Sequence, residues 1–225
     1  MPGKSEAEKA MKEKIAKRAA QEIKDGMYVN LGIGIPTLCS NFIDEGRDVT
    51  LECEDGLLGM GSFPHEHEVD ADLINASKQT VTILPGGSFF SSSRTFAMIR
   101  GHFMDISILG GFQVSKNADL ANWIIPGKKL KGMGGAMDLV SGAKDLIITM
   151  SHVSSKGELK ILNECQLPLT GRGVVHLLIT DKAVFKFNKP TKEIMLTEID
   201  ANTDLDWVKK NTECDFIVSP ALKAF

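Results

Sequence analysis

The 225-residue sequence predicts an α/β fold, a single domain over 1–225 with a largely parallel central sheet flanked by helices. Three observations lead there. Short apolar runs recur at Met27–Leu31, Val49–Cys53, Asp105–Leu109 and Asp145–Met150, and such runs suit strands covered on both faces. Several lead into glycine turns followed by helical patterns, the strand, turn, helix order from which parallel sheets are built. The composition, 43% hydrophobic and 24% charged with 21 glycines, is that of a globular chain with many tight turns and enough length for one sizeable core.

The same totals exclude several function classes. A net charge of -3, with Lys and Arg spread along the chain, provides no electrostatic footprint for nucleic acid. Cys39, Cys53, Cys165 and Cys214 form no CxxC pair and have no His at ligand spacing, which argues against a zinc site or a disulfide framework. A cytoplasmic setting is expected. Met1 to Lys24 alternates acidic and basic residues without the apolar core of a signal peptide, and no run is long enough to span a bilayer, so no membrane partner is expected.

Taken in order, Ser5 and Glu8 have capping-box spacing, and Met11, Ile15, Ala19 and Ile23 recur at helical intervals until Gly26. This reads as a surface helix whose charges are solvated. Met27–Leu31 is the first strand; Gly32 and Gly34 then form a turn before the helical segment Thr37 to Ile43, with Pro36 suited to the first helical position. A Gly loop opening a helix presents N–H groups and a dipole to an anion such as a phosphate, although the same glycines serve equally as turn residues.

Val49–Cys53 is the next strand, and it runs into Glu54-Asp55-Gly56. Glu52, Glu54 and Asp55 interrupt an apolar stretch, where unpaired carboxylates are costly. Chemistry at Glu54 and a solvated strand end are both compatible with these residues. In open α/β sheets ligands collect at the carboxyl ends of strands, where Glu54 and the first glycine turn fall. His65 to Asp72 reads as a polar loop with no third ligand to make a metal site.

Thr80–Leu84 alternates like a strand and is expected to break at Pro85-Gly86-Gly87. Phe89 and Phe90 are expected in core or interface, and one of Ser91, Ser92 and Ser93 should cap a helix ending near Gly101. After the strand Asp105–Leu109, Asn122 to Gly127 reads as a strand entering a turn, with Lys128, Lys129 and Lys131 as a small basic patch. Gly132, Gly134 and Gly135 open the next helix; such a turn either supplies oxyanion donors or packs closely on a strand. Val174 to Thr180, a helix over Thr203 to Asn211 carrying Trp207, and a strand at Phe216 to Val218 complete the chain. His152 and His176, each isolated, read as structural.

The order of these motifs resembles a known family. Asn30-Leu31-Gly32-Ile33-Gly34-Ile35-Pro36, Ala71 to Ala76, Phe96 to Gly101, Leu120 to Trp123, Lys131 to Val140 and Cys214-Asp215-Phe216 are similar to the B (beta) subunit of 3-oxoacid, or acetoacetate, CoA-transferases. They are similar too to the C-terminal half of the fused succinyl-CoA:3-ketoacid enzymes. The resemblance covers nearly the whole chain. It implies the CoA-transferase fold, shared with sugar-phosphate isomerases, and a ping-pong transfer of CoA between a short acyl-CoA and acetoacetate or a similar acid.

What the resemblance further implies is a nucleophile at Glu54, oxyanion donors at Gly135 and Gly134, and a CoA or substrate site involving Asn30, Gly32, Gly34 and Asn122. It implies no metal and no cofactor beyond the CoA thioester, which is a substrate. It also implies an A (alpha) subunit as partner, in an αβ unit doubled to α2β2. The family pattern Ser-Glu-Asn-Gly is here Cys53-Glu54-Asp55-Gly56, which puts a second carboxylate beside the nucleophile unless Asp55 turns outward. An acyl-CoA hydrolase using the same glutamate, a non-catalytic CoA-binding subunit, and a sugar-phosphate isomerase are the alternatives.

Overall fold

The computed structural model describes residues 6–127, 132–188, 190–191 and 193–225. The capping residue Ser5 and the basic patch Lys128, Lys129 and Lys131 lie outside them. The helix α1 (Glu6–Ala20) leads into β1 (Tyr28–Leu31), a 3-10 helix (Pro36–Phe42), β2 (Thr50–Cys53) and β3 (Leu57–Met60). A second 3-10 turn (Glu66–Glu68) precedes β4 (Ile83–Phe89) and α2 (Ser92–Arg100). Then come β5 (Ile106–Gly110), β6 (Gln113–Ser115), β7 (Leu120–Ala121), α3 (Ala136–Gly142), β8 (Asp145–Thr149) and β9 (Ile161–Leu162). The chain ends with β10 (Leu177–Ile179), β11 (Ala183–Asn188), β12 (Glu193–Ile199), α4 (Leu205–Lys210) and β13 (Ile217–Ala224).

Ten strands form one sheet in the order β13-β12-β11-β10-β8-β5-β1-β2-β3-β4, and β7-β6-β9 make a small second sheet. The centre, β10-β8-β5-β1-β2, is parallel throughout. Antiparallel pairs begin at β2-β3 on one side and β10-β11 on the other. Successive residues of the central strands point to opposite faces. Leu146, Ile148 and Leu178 therefore enter one apolar layer with Ile99, Leu139 and Val140 of α2 and α3. Ile147 and Ile179 enter the other, with Ile15, Ala19 and Ile23 of the N-terminal segment. Helices on both faces make the expected α/β architecture.

Three expectations are corrected. Strand β4 runs through Pro85-Gly86-Gly87 instead of breaking there. It is the edge strand of the sheet, where proline's missing donor costs no ladder bond, and Gly87 is required because a Cβ would lie 2.4 Å from Ile83. Phe89, expected in core or interface, is 65% exposed on that edge and so lies outside the core of this chain. Asn122 to Gly127 is not a strand; β7 ends at Ala121.

The third concerns α1, whose charges are not all solvated. Arg18 is buried and grips Glu198 of β12 through Nε and Nη2 at 2.6 and 2.8 Å, while Nη1 donates to Glu22 at 2.7 Å. Lys14 pairs with the buried Asp200. Glu198 lies on β12, in an antiparallel pair with β11 that sequence periodicity does not announce, and Asp200 follows directly on that strand.

Candidate functional site

Strand β1 pairs with β2 on one side and β5 on the other, so the carboxyl ends of three parallel strands lie side by side. A cleft of about 1670 Å³ opens over these ends. Its lining includes Asn30, Glu52, Glu54, Gly110, Gly135 and Lys160.

Glu54 is presented by a turn that the sequence dictates. β2 and β3 form a hairpin in which Cys53 faces Leu57, leaving Glu54-Asp55-Gly56 as its loop. Gly56 has φ +118, and a Cβ there would lie 1.9 Å from the carbonyl oxygen of Phe90, so only glycine fits. The Gly56 N–H donates to Cys53 O, and Gly56 O accepts from the Phe90 N–H, each at 2.9 Å. These bonds tie the loop to the segment before α2. Glu54 is half-buried and Asp55 exposed. Asp55 thus turns outward, the orientation that lets a second carboxylate sit beside Glu54. Burial, with a smaller contribution from Asp55, holds the Glu54 carboxyl above its ordinary range.

Gly135 meets Glu54 from across the cleft. It caps α3, and a Cβ built on it would lie 3.3 Å from Glu54 Oε2 and 2.4 Å from the ring of Phe96. The glycine is needed for close approach, not for a special backbone angle, since its φ is -84. Gly134 beside it has the opposite requirement: φ is +54, and nothing lies within 4 Å of where a Cβ would stand. The structure therefore brings together Glu54, Gly134 and Gly135 from segments about eighty residues apart.

The other predicted residues divide. Asn30 lines the cleft but its amide is engaged: Nδ2 donates to Glu52 Oε2 at 2.8 Å, and Oδ1 accepts from Ser107 Oγ at 3.2 Å. The Gly32 N–H donates to Ile108 O at 2.9 Å, and a Cβ there would strike Leu109 at 2.9 Å, so this glycine secures the packing of β1 on β5. Gly34, with φ +96, turns the chain toward the 3-10 helix, which has Pro36 at its start as expected, and its neighbours Ile33 and Ile35 line the cleft. Asn122 lines the cleft and acts as a brace, donating from Nδ2 to Gly110 O at 3.0 Å and accepting from Thr170 Oγ1 at 2.6 Å.

Three groups in or beside the cleft escape sequence reasoning. Ser107 sits inside an apolar strand and carries no motif. Lys160 donates to Ser151 Oγ at 3.1 Å, and burial pulls its ammonium down to about 8. Phe96 opens one of the motifs of the resemblance, but nothing in that motif announces its contact with Gly135. Burial pushes the Cys53 thiol up, and the thiols of Cys39 and Cys165 up to about 12, which disfavours the reactive thiolate. His152, wholly buried with its ring nitrogens against Thr180 and Thr212 hydroxyls, is structural. Among the described residues no group of three or more His, Cys, Asp or Glu side chains could hold a metal, and no helix is long and apolar enough to cross a membrane.

Comparison with known proteins matches residues 12–211 to the family described as Coenzyme A transferase. The B subunit of succinyl-CoA:3-ketoacid coenzyme A transferase from Helicobacter pylori J99 is 57% identical over 208 residues, covering 92% of this chain and 99% of the relative. The beta subunit of acetate CoA-transferase from Escherichia coli K12 is 47% identical over 211 residues, covering 94% and 95%. Among solved structures, an acyl-CoA transferase apoenzyme from Escherichia coli O157:H7 superposes with a TM-score of 0.76 at 20% identity, over 96% of this chain and 43% of that one. With sequence identity above half across nearly its full length, the chain belongs to the coenzyme A transferase family.

Proposed function

We propose that this chain is the B-type subunit of an enzyme that moves CoA between a short acyl-CoA and acetoacetate or a similar 3-oxoacid, with Glu54 as the nucleophile. The observation that carries the reading is the position of Glu54 at the end of β2, half-buried in the cleft wall with its Oε2 3.3 Å from where a Cβ on Gly135 would stand. A carboxylate raised by burial is more basic, and so more nucleophilic once ionised.

In the first half-reaction an ionised Glu54 oxygen attacks the thioester carbonyl carbon, and the C–S bond breaks to leave a mixed anhydride and CoA thiolate. The thiolate attacks the Glu54 carbonyl carbon, expelling the first acid as its carboxylate and leaving a glutamyl-CoA thioester. A second carboxylate reverses these steps and departs as its CoA ester. No water, electron or cofactor is consumed. Each tetrahedral intermediate concentrates charge on one oxygen, where Gly134 and Gly135 would place donors; loss of one such donor typically costs ~100 to 1000 in rate.

A partner A subunit would complete the cleft, in an αβ unit doubled to α2β2. The rim supports this: Ile33, Phe63, Leu84 and Met133, all lining the cleft, are 66%, 51%, 47% and 39% exposed. Single exposed apolar residues are ordinary, but several around one opening mark a surface that is covered in use.

Incubating the assembled enzyme with acyl-CoA, trapping with borohydride and mapping peptides by mass should label Glu54. Label elsewhere, or none with active enzyme, would overturn the assignment. Release of free acid without an acceptor carboxylate would point to a hydrolase instead.

A further inference from the structure

The second carboxylate of the cleft, Glu52, has no part in the reaction above. It is 1% exposed, yet it lines the cleft. Its position is set by register: Ser107, Asn30 and Glu52 are direct partners across β5, β1 and β2. Their side chains join in one rung, in which Ser107 Oγ donates to Asn30 Oδ1 and Asn30 Nδ2 donates to Glu52 Oε2. The rung ends there, for Glu52 Oε1 is buried with no hydrogen-bond partner. A buried carboxylate anion needs several donors or a cation, and this one has a single neutral amide. The titratable groups acting on it, Glu54 and Asp55 beyond the end of β2, are both carboxylic acids and neither can supply a compensating cation; β1 and β5 offer Asn30 and Ser107, and β3 faces it with Leu58.

We propose that Glu52 is a positioning residue that works as a neutral carboxylic acid, its proton held at Oε1, so that the pair Glu52 and Glu54 carries one negative charge and that charge stays on the nucleophile. The proposal rests on Glu54 being that nucleophile. Two carboxyls in unlike surroundings divide acid and base roles in this way: the more buried one keeps the proton and the more exposed one ionises. Burial first, and Glu54 and Asp55 next, push Glu52 up to about 7 against the opposing pull of the Asn30 hydrogen bond. Above that point a second anion would form beside Glu54, and the rung would have no donor to hold it.

The test joins a spectroscopic and a kinetic readout on the assembled enzyme. The infrared carbonyl band of a protonated carboxyl should be present at neutral pH, titrate away with a midpoint near about 7, vanish in Glu52→Gln and persist in Glu54→Gln. The rate of Glu54 labelling should fall about tenfold per pH unit above that midpoint in the wild type and stay flat in Glu52→Gln, whose amide mimics the neutral acid. Absence of the band in wild-type enzyme overturns the proposal, as does a Glu52→Gln variant that keeps the alkaline fall. Loss of labelling by about 100-fold in a folded Glu52→Gln at neutral pH would also overturn it, showing that a neutral side chain at this position does not suffice. Should label map to another residue while the band behaves as described, the nucleophile assignment fails and not the protonation of Glu52.

Discussion

Gly135→Ala isolates what the close approach at the cleft is for. The added methyl would stand 2.4 Å from Cε1 and Cζ of Phe96 and 3.3 Å from Glu54 Oε2. Carbon atoms in ordinary contact are about 3.5 to 4.0 Å apart, so the ring must shift by more than an ångström. The φ of -84 is open to alanine, and the backbone itself is not strained. Overpacking of this kind costs about 1 to 3 kcal/mol, and because Phe96 is only half-buried and free to tilt outward, the lower end applies. The functional loss should be larger, since the methyl intrudes where the oxygen of a tetrahedral intermediate would form and moves the donors aimed at it: ~100 to 1000-fold in labelling of Glu54. Gly134→Ala reverses the physics. Its methyl meets nothing within 4 Å, but φ is +54, at a strain of about 1 to 2 kcal/mol. It should lower thermal stability at least as much as Gly135→Ala and labelling far less. Single-turnover labelling with parallel thermal unfolding measures both. Wild-type labelling in Gly135→Ala, or equal losses in the two variants, would refute the role given to Gly135.

Arg18→Met should destabilise the chain by about 3 kcal/mol in denaturant unfolding, the low end for a broken buried pair, because Lys223 at 3.2 Å still faces Glu198. Gly56→Ala should abolish labelling and lower the unfolding midpoint sharply, since its methyl would lie 1.9 Å from Phe90 O; a normal midpoint would show that the loop relaxes. His152 is held down to about 4, burial being the main cause. A base depressed from its ordinary 6.5 contributes stability that is present above that value and lost as pH falls toward about 4, about 3 kcal/mol at ~1.4 per unit, and the uncharged variant His152→Gln should flatten that acid limb. Glu52 has the opposite sign: raised from 4.5 to about 7, it contributes stability fully present below 4.5 and lost as pH rises through about 7, again about 3 kcal/mol. Glu52→Gln should therefore gain on the wild type in urea unfolding as pH rises from 4.5 to about 7 and hold that gain above it, and no gain would count against the buried neutral acid.

The central strands are legible because both of their faces are covered, which leaves runs such as Leu146-Ile147-Ile148 nearly free of polar residues. The glycine turns are legible as turns, yet their reasons are not. Gly32 is small for Leu109, Gly56 for Phe90, Gly135 for Phe96 and Glu54, and each neighbour is remote in sequence. β4 extends past its expected end because proline and glycine, which punctuate most strands, carry no penalty at the sheet edge. Nothing in the periodicity announces the pair β11-β12, and with it go the partners of Lys14 and Arg18 on α1. Solvated faces and buried ion pairs look alike until the opposing carboxylates are placed.

Local chemistry by itself determined the α/β class, the strand, turn and helix order, and three suspicious carboxylates at a strand end. It could not separate them, because Glu52, Glu54 and Asp55 differ by burial rather than by type. Tertiary structure did so through pairing register, which ties Glu52 to Asn30 and Ser107, and through the hairpin that turns Asp55 to solvent and Glu54 into the cleft opposite Gly135. Register and burial are set by contacts between distant segments, and no local pattern encodes them.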